Sequence, residues 1–451
     1  MIDTSAAYKT AIKASARQIV PKVEIYFDGD NETPATFEGD EIANLTLLEE
    51  ARSDSKNPLG FVTANEFSLS LDNSNRDFTP TAAGAYSDKI RPNLLVKPYL
   101  GLVLSETTEY IPLGVFRTGD WETPSQQLEA TVTCYDNLYS LFNLDTPQLK
   151  ARQETTIGFM FQDLFEALGL SEEDYLIDEA LNQSVRIGWH PRGTVGDTLQ
   201  TLADAAFASV RTDREGRIVV KSNLTVGELL ETYTDDNSIF ATENPQKILD
   251  IYSVVRIGYR LPYIKQPSTL IEIDNLTIPN GGLTIEDIEF DTQDIPVVEV
   301  QEVRLLGATS SEVESFSFGA TGATIEISNT GTSETVTLLV LGRGVGSHTS
   351  SRTAVDEEAI GNYGRRELTF FNPLIQRLDV AQSYAVKLLA LTIDPLNNYT
   401  IDLRGDMALE IGDLIQVVNP SDKIGTVEVI PFRIQLEFDG GLNATMMCKK
   451  G

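Results

Sequence analysis

Apolar and polar residues alternate with a period of two through much of the chain, and this pattern predicts a mainly β protein. The clearest runs are residues 23–27, 67–71 and 130–134, in which every second side chain is apolar. Successive side chains of a strand point to opposite faces, so such runs place one face in a core and the other in water. Turn-forming residues such as Asp72-Asn73-Ser74-Asn75 separate the runs. We therefore expect residues 21–146 to form a closed or sandwiched antiparallel sheet.

The period changes to 3.6 in residues 147–222, where the pattern predicts two helices. Gly169 stands where the first helix should end, and Thr194 with Asp197 predicts a capping box at the start of the second. A hairpin with its turn at residues 213–216 follows. The apolar stripe of the first helix consists of Phe161, Leu164, Phe165 and Leu168. This segment is predicted to be a small α+β domain.

The remainder of the chain is again β-rich and contains one clear helix. Asp379 is the predicted N-cap of this helix, and its predicted buried stripe consists of Ala381, Tyr384, Leu388 and Leu391. Residues 301–350 are rich in Thr, Ser and Gly and are predicted to be a β-rich insert, in which residues 342–353 form a mobile loop. The flanking segments 223–300 and 351–451 are predicted to form a second barrel-like β unit with the helix packed on it.

A short amphipathic helix is predicted over residues 3–17, within an N-terminal arm of residues 1–20. Ala7, Ala11 and Ala14 lie on one face of this helix, with Tyr8 and Ile12 beside them. The weakly apolar face suits docking on a neighbouring element. A frayed terminus is the alternative interpretation, and the pattern does not decide between the two.

The strongly negative charge of the chain argues against some classes of binding partner. It has 451 residues with 35 Lys+Arg against 67 Asp+Glu, a formal net charge of −32. Such an acidic surface repels polyphosphate, which argues against ordinary nucleic-acid binding. Two cysteines cannot form a disulfide framework, and no stretch resembles a secretory signal or a membrane span. We expect synthesis in the cytoplasm and no membrane segment.

The search for chemistry yields no candidate catalytic, cofactor-binding or metal site. Cys134 lies in the middle of a predicted strand, and His190 and His348 are interpreted as a packing or capping residue and a solvated loop residue. The glycine-rich segment 342–346 lacks the Lys-Ser/Thr of a phosphate loop. The acidic runs Glu49-Glu50, Glu172-Glu173-Asp174 and Glu357-Glu358 are interpreted as solvated faces, and Asp28, Asp30 and Glu32 as a turn. The protein is therefore predicted not to be an enzyme and to need no cofactor.

Several stretches resemble the tail-hub proteins of phages and phage-like particles, which include baseplate hubs of contractile tails and tail-associated proteins of long-tailed phages. The stretches that carry the resemblance are Pro58-Leu59-Gly60-Phe61 to Pro80, Tyr110 to Trp121, Ala130 to Leu138, Thr194 to Val220 and Leu409-Glu410-Ile411-Gly412-Asp413. The resemblance is a pattern spread over most of residues 20–450, and no single motif is diagnostic.

The resemblance implies a trimer in which each subunit contributes two tube-type β-barrels, so that six barrels form a pseudo-sixfold ring. The first barrel would be residues 21–146, and the second would come from 223–300 with 351–451. Residues 147–222 and 301–350 would be smaller peripheral domains. The expected partners are a tail-tube or distal-tail ring above, tip, spike or fibre proteins below, and tape measure protein or DNA passing through the lumen without specific binding. The expected location is the tail tip or baseplate of a virion.

Two other functions stay open at this stage. A cell-wall-degrading enzyme would need two carboxylates about 5–9.5 Å apart in a groove, and the sequence nominates no pair. An adhesin could use residues 305–350 as a surface-exposed binding insert. The chain stops at Gly451, just past a predicted closing strand, so we expect any lytic or receptor-binding activity to belong to another chain.

Overall fold

The computed structural model describes residues 1–29, 32–51, 60–80, 84–124, 126–223, 227–236, 238–243, 251–290, 296–393, 398–421 and 425–451. Strands account for 51% of the structure and helices for 14%. The predicted fold class, mainly β with a small α+β part, is confirmed.

The strands of the first half of the chain are short to medium in length. They are β1 Ile19–Tyr26, β2 Ala35–Glu38, β3 Ile42–Glu50, β4 Phe61–Val62, β5 Glu66–Asp72, β6 Leu95–Val103, β7 Thr108–Pro112, β8 Phe116–Glu122, β9 Glu129–Asp136, β10 Arg152–Thr156, β11 Tyr175–Ile177, β12 Ser184–Gly188, β13 Ala208–Thr212 and β14 Ile218–Ser222.

The strands of the second half include one of 22 residues. They are β15 Leu229–Thr234, β16 Ile239–Glu243, β17 Val254–Ile264, β18 Ser268–Ile278, β19 Leu283–Glu289, β20 Val297–Leu306, β21 Ser311–Phe318, β22 Gly322–Asn329, β23 Glu334–Val355, β24 Glu367–Phe371, β25 Asn398–Leu403, β26 Leu414–Asn419, β27 Gly425–Phe438 and β28 Leu442–Lys450. The helices are α1 Ala6–Ala11, α2 Asn137–Leu141, α3 Ile157–Ala167, α4 Val195–Ala206, α5 Glu357–Tyr363 and α6 Leu378–Thr392.

One sheet of 14 strands forms the body of the molecule, and it has two halves. The first half has the strand order β3-β5-β9-β8-β6-β1-β2, with β7 added to β6. The second half has the order β16-β25-β28-β27, and β26 and then β15 continue from β27. The halves are joined where β3 pairs antiparallel with β27, from Leu45 opposite Phe438 to Glu50 opposite Arg433.

Each half of the sheet curls back on itself. In the first half the two outermost strands, β2 and β3, are separated in sequence only by a short 3₁₀ turn, Gly39–Glu41. In the second half the two outermost strands, β15 and β16, are separated only by residues 235–238. A connection this short cannot span a flat sheet, so the edges of each half must come close together. Within the described part of the chain, no hydrogen-bonded ladder closes either half.

The predicted alternation of residues in the first half is confirmed. Phe67, Leu69 and Leu71 of β5 are buried, and so are Ala130, Val132 and Cys134 of β9. Side chains from both halves of the sheet belong to a single apolar core. The large sheet therefore has two curled halves with a shared interior, and the division into two barrel domains stays a prediction.

The α+β segment also follows its sequence signals. Thr194 and Asp197 form the predicted capping box at the start of α4, and Gly169 follows the end of α3 with a positive φ of 84°. Helices α3 and α4 pack on the four-stranded sheet β11-β14-β13-β4. Strand β4 (Phe61–Val62) comes from within the predicted first barrel and was not expected in this sheet. A two-residue strand carries too little periodicity to be assigned from sequence.

The rest of the chain forms a β-sandwich and a sheet covered by a helix. In the sandwich, strands β18, β20 and the first part of β23 face the sheet β19-β22-β21 over a common core. Strand β23 then continues beside β17, and β24 pairs with β17 on its other side. Helix α6 packs on β17 and β23, where Val255, Ile257 and Ala354 meet it.

Three expectations for helix α6 are wrong: the sheet it covers, its N-cap and one residue of its buried face. Helix α6 covers the β17–β23–β24 sheet and not the strands of the second half of the large sheet. Its N-cap is Arg377, and Asp379 lies in the first turn, where it forms an ion pair with Arg377 at 2.8 Å. Leu391 is 44% exposed, because the helix buries Ala385 and Leu389 on a slightly rotated face. The boundaries of the five predicted domains stay a prediction.

The glycine-rich segment that we expected to be a mobile loop is the middle of β23. Gly342 lies opposite Ser268 and Val300, and Gly346 lies opposite Tyr263. A side chain at Gly342 would meet the Glu299 carbonyl oxygen, since an added Cβ would lie 2.2 Å from it. The glycines therefore permit close approach of neighbouring strands and do not loosen the chain.

We expect Gly342→Ala to destabilise the sandwich by about 1–3 kcal/mol, the usual cost of forcing extra volume into a packed site. Gly361→Ala is the matched control. Gly361 lies in the exposed helix α5 and an added Cβ there would touch nothing, so alanine should stabilise by about 0.5–1 kcal/mol. Urea unfolding of both variants measures the difference, and equal effects would contradict the close approach.

Candidate assembly site

The loop between β25 and β26, residues 404–413, contacts more separate parts of the chain than its length suggests. We call it the junction loop. Its backbone and side chains bind the N-terminal arm, strand β15 and the hairpin of the α+β segment. The strand β3, which joins the two halves of the sheet, reaches the same place through Glu49.

Arg214 is the buried centre of this junction. It lies in the β13–β14 hairpin turn, is only 2% exposed, and forms two 2.9 Å hydrogen bonds with the carboxylate of Glu49 on β3. Its remaining donors reach the junction loop, at the carbonyl oxygens of Met407 and, at 2.8 Å, Leu409. Burial lowers the pKa of Arg214, and the attraction of Glu49 more than reverses this, so the guanidinium stays charged. One side chain thus ties the α+β hairpin to both halves of the sheet.

A second buried carboxylate holds the same hairpin from the other side. Asp136 caps helix α2 and accepts hydrogen bonds from the Asn65 backbone N–H at 2.7 Å and from the Thr212 hydroxyl. Burial raises the pKa of Asp136, and these donors partly offset the effect. Arg211 on the same strand donates to the carbonyl oxygen of Ile411 in the junction loop at 3.0 Å. The position of the hairpin is therefore fixed by several independent contacts.

Asp406 of the junction loop binds the N-terminal arm to strand β15. Its two carboxylate oxygens accept hydrogen bonds from the Tyr8 hydroxyl at 3.0 Å and from the Tyr233 hydroxyl at 3.1 Å. It also accepts one from the backbone N–H of Ala408 at 3.0 Å. Burial, followed by the nearby carboxylate, raises the pKa of both tyrosines well above the ordinary value. The two hydroxyls therefore stay protonated and act as donors.

The N-terminal arm is docked within its own chain. Helix α1 spans Ala6–Ala11, which is shorter than the predicted 3–17, and its buried side chain is Tyr8 rather than the alanine face. Lys13 forms a 2.6 Å ion pair with Glu231 of β15, and Arg17 donates to the carbonyl oxygen of Gly405 at 2.7 Å. A basic arm thus lies on an acidic part of the large sheet, and the docking interpretation is the one realised.

Loss of stability above pH 10 is the expected consequence of the buried tyrosines. An unfolded chain ionises tyrosine near pH 10, whereas the folded protein keeps Tyr8 and Tyr233 protonated to higher pH. Their stabilising contribution is complete below pH 10 and is lost above it, at about 1.4 kcal/mol per pH unit for each tyrosine. Thermal unfolding from pH 8 to 11 should show a steeper decline for the wild type than for Tyr8→Phe. Parallel declines would contradict the assignment.

The two cysteines and two histidines of the chain have packing roles in the structure. Cys134 and Cys448 are fully buried in the core of the large sheet, and burial raises the pKa of both thiols. His190 is buried, its Nε2 lies 2.9 Å from the Met160 carbonyl oxygen, and burial lowers its pKa. His348 does not lie in a loop but on β23, where its ring stacks on Tyr263. The two cysteines belong to the core of the large sheet, and the two histidines lie elsewhere, His190 before α4 and His348 on β23.

The acidic runs divide between solvated faces and the junction. Glu357 and Glu358 are exposed in the first turn of α5, and residues 172–174 are exposed as expected. Glu49 was expected to be solvated, and this expectation is wrong because Arg214 holds it in the interior. Asp30 lies outside the described residues. The sequence does not predict that the charged residues of the junction are buried. Arg214 lies in a hairpin turn and Asp406 in a loop, and charged residues at such positions are ordinarily exposed to solvent.

The described ranges contain no group of three or more His, Cys, Asp or Glu side chains placed to hold a metal ion. None of the helices in those ranges has the length and apolar character that crossing a bilayer requires. The carboxylates of Glu49, Asp136 and Asp406 each accept two or more hydrogen bonds. The junction is therefore suited to fixing the relative positions of chain segments.

The solved structures that match nearly the whole chain include two tail proteins. The 43 kDa tail protein of prophage MuSo2 from Shewanella oneidensis has a TM-score of 0.52 at 10% identity, with 96% of this chain and 98% of that chain covered. The tail protein from Neisseria meningitidis MC58 has a TM-score of 0.53 at 11% identity, with 96% of each chain covered. The chain has the fold of a phage tail protein. No family model matches the sequence, and no curated protein matches it either.

The tail-protein fold confirms the resemblance predicted from the sequence. Because the match extends over almost all of both chains, it includes the large sheet, the α+β segment and the sandwich. At 10–11% identity, this chain shares its arrangement of elements with each of the two tail proteins but few individual residues.

Proposed function

We propose that the protein is a structural hub of a phage tail or phage-like injection particle, and that three copies form a ring around the channel. The supporting observation is the large sheet with two curled halves per chain, joined by the β3–β27 pairing. Three such chains present six curled units and can match a sixfold tail tube. The junction of Arg214, Glu49 and Asp406 keeps the two halves and the arm in a fixed arrangement.

The ring joins the tail tube, or a distal-tail ring above it, to tip, spike or fibre proteins below. Its location is the tail tip or baseplate of the virion. Tape measure protein or DNA passes through the lumen without specific binding. The net charge of −32 supports this passage, because a polyanion moves past a wall that repels it and adheres to a basic one. In this proposal the role is structural and not enzymatic.

Native mass spectrometry of the purified full chain tests the oligomeric state, and a density map of the assembled tip tests the ring. We expect a trimer and a collar with six similar lobes around a bore lined mainly by carboxylates. A chain that stays monomeric at high concentration, and that forms no ring in the particle, would overturn the proposal. Clearing of host cell wall by the purified protein would favour an enzyme instead.

A further inference from the structure

Charge is distributed very unevenly between two neighbouring parts of the chain. The β-sandwich, residues 268–344, has 13 acidic and two basic residues. The helix-covered sheet that follows it, residues 251–267 with 345–393, has eight basic and five acidic residues. In a chain with a net charge of −32, an excess of basic residues in one part is an exception. The two parts share strand β23, which runs from one into the other.

The sheet β17–β23–β24 has one face covered by α6, and its other face is open from Arg256 to Arg260, beyond the fully buried Val254. Val255, Ile257 and Tyr259 of β17 point toward helix α6. The alternate residues of β17, with the residues that pair with them, therefore lie on the opposite side of the sheet. We call this side the open face; it consists of Arg256, Gly258, Arg260, Thr349, Ser351, Thr353, Thr369 and Phe371.

The open face carries side chains that are common in protein interfaces. The ring of Phe371 lies against Gly258, where an added Cβ would be 2.8 Å from the ring, and Phe371 is still 45% exposed. Arg256 is paired with Glu367 at 2.7 Å. The Arg260 side chain has no hydrogen-bond or ion-pair partner within the described ranges, and its Nε is shielded from water. Arginine and aromatic residues are enriched at interface centres, and an unpaired buried donor is costly until a partner arrives.

The sandwich carries the opposite charge, and some of its carboxylates are not neutralised: Asp287 and Glu289 pair with Arg192 of the α+β segment, whereas others have no ion pair in the described residues. Glu272, Glu286, Glu312 and Glu314 are exposed, and none of them takes part in an ion pair in the part of the chain that the structure describes. The two basic residues of the sandwich, Arg304 and Arg343, are already paired with Glu302 and Glu299. The surface therefore has carboxylates available to a cationic partner.

We infer that the open face of one subunit binds the acidic β-sandwich of a second copy of this chain. The two surfaces are different parts of the same chain, so the contact can repeat head to tail from subunit to subunit and generate a closed ring when the rotation closes. This inference rests on the proposed ring and names the surfaces that would form it. Charge complementarity supports this occupant, because every further copy supplies an acidic sandwich with exposed carboxylates that form no ion pair in the described residues.

Charge reversal on the open face tests the contact. Sedimentation of the full chain over a concentration series would compare the wild type with Arg260→Glu, Arg260→Gln and the control Arg186→Glu. Arg186 is an exposed arginine on β12, outside both surfaces. We expect Arg260→Glu to weaken association by about tenfold or more, Arg260→Gln to weaken it less, and the control to leave it unchanged. High salt should weaken the wild-type association as well. Circular dichroism checks that each variant is folded.

Reversal on the sandwich gives the complementary test. Glu312→Lys with Glu314→Lys should weaken association alone and restore part of it when combined with Arg260→Glu. A wild-type trimer whose association none of these variants changes would overturn this contact and leave the proposed hub intact. A two-fold dimer that Arg260→Glu dissociates would keep the contact and overturn the threefold ring. A wild-type chain that is monomeric at every concentration would overturn both.

Discussion

Replacing Arg214 with alanine will lower the free energy of unfolding by about 3–5 kcal/mol, because it leaves the Glu49 carboxylate charged and buried without its partner. The two side chains are 2% and 5% exposed, and they share two 2.9 Å hydrogen bonds. The change also removes donors from the carbonyl oxygens of Met407 and Leu409 in the junction loop. Urea denaturation followed by circular dichroism measures the loss.

Arg217→Ala is the matched control for this prediction. Arg217 lies three residues further along the same hairpin, is partly exposed, and pairs with Asp213 and Glu215. Ion pairs in contact with water contribute about 0.2–1 kcal/mol, so the control should lose no more than that. If both variants lose the same amount, Arg214 does not have the buried role assigned to it.

The double variant Arg214→Met with Glu49→Leu separates the ion pair from the shape of the site. Removing both charges avoids an uncompensated buried carboxylate, so the double variant should lose less stability than Arg214→Met alone. The carbonyl oxygens that Arg214 caps stay without their donor, and recovery should therefore be partial. A double variant that is less stable than the single one would contradict the assigned pairing.

Phe67→Ala should destabilise the protein by about 3–5 kcal/mol, the range for removing a fully buried phenylalanine. Phe67 lies on β5 near the middle of the first half of the sheet, and its ring centroid is 5.4 Å from that of Phe116. The cavity would open in the core that both halves share. Thermal unfolding should therefore show a lower transition temperature for the whole sheet and not for one half alone.

Phe240→Ala provides the comparison, since Phe240 is on the edge strand β16 and is 63% exposed. Its removal should change the free energy of unfolding by no more than about 0.5 kcal/mol, as for an ordinary surface substitution. Two separate transitions in Phe67→Ala, with the second unchanged from the wild type, would show that the halves do not share a core.

Local signals in the sequence predicted a large part of the fold. The capping box of Thr194 and Asp197 and the alternation in β5 and β9 depend on residues a few positions apart, and the structure contains them as expected. The sequence predicts a loop at Gly342 and Gly346, because glycine disfavours strands locally. Their pairing with residues near 268, 300 and 263 overrides that preference. The residues next to the two glycines in sequence do not indicate this pairing.

The sequence by itself determined the class of the fold, the positions of most strands and helices, and the strongly acidic character of the chain. The tertiary structure alone decided that β3 pairs with β27, that Arg214 and Glu49 are buried together, and that the arm docks at Asp406. The physical reason is the range of the interactions. Periodicity and capping act within a few residues, whereas these contacts join segments that are 165 or more residues apart in the sequence, and their meeting depends on the packing of everything between them.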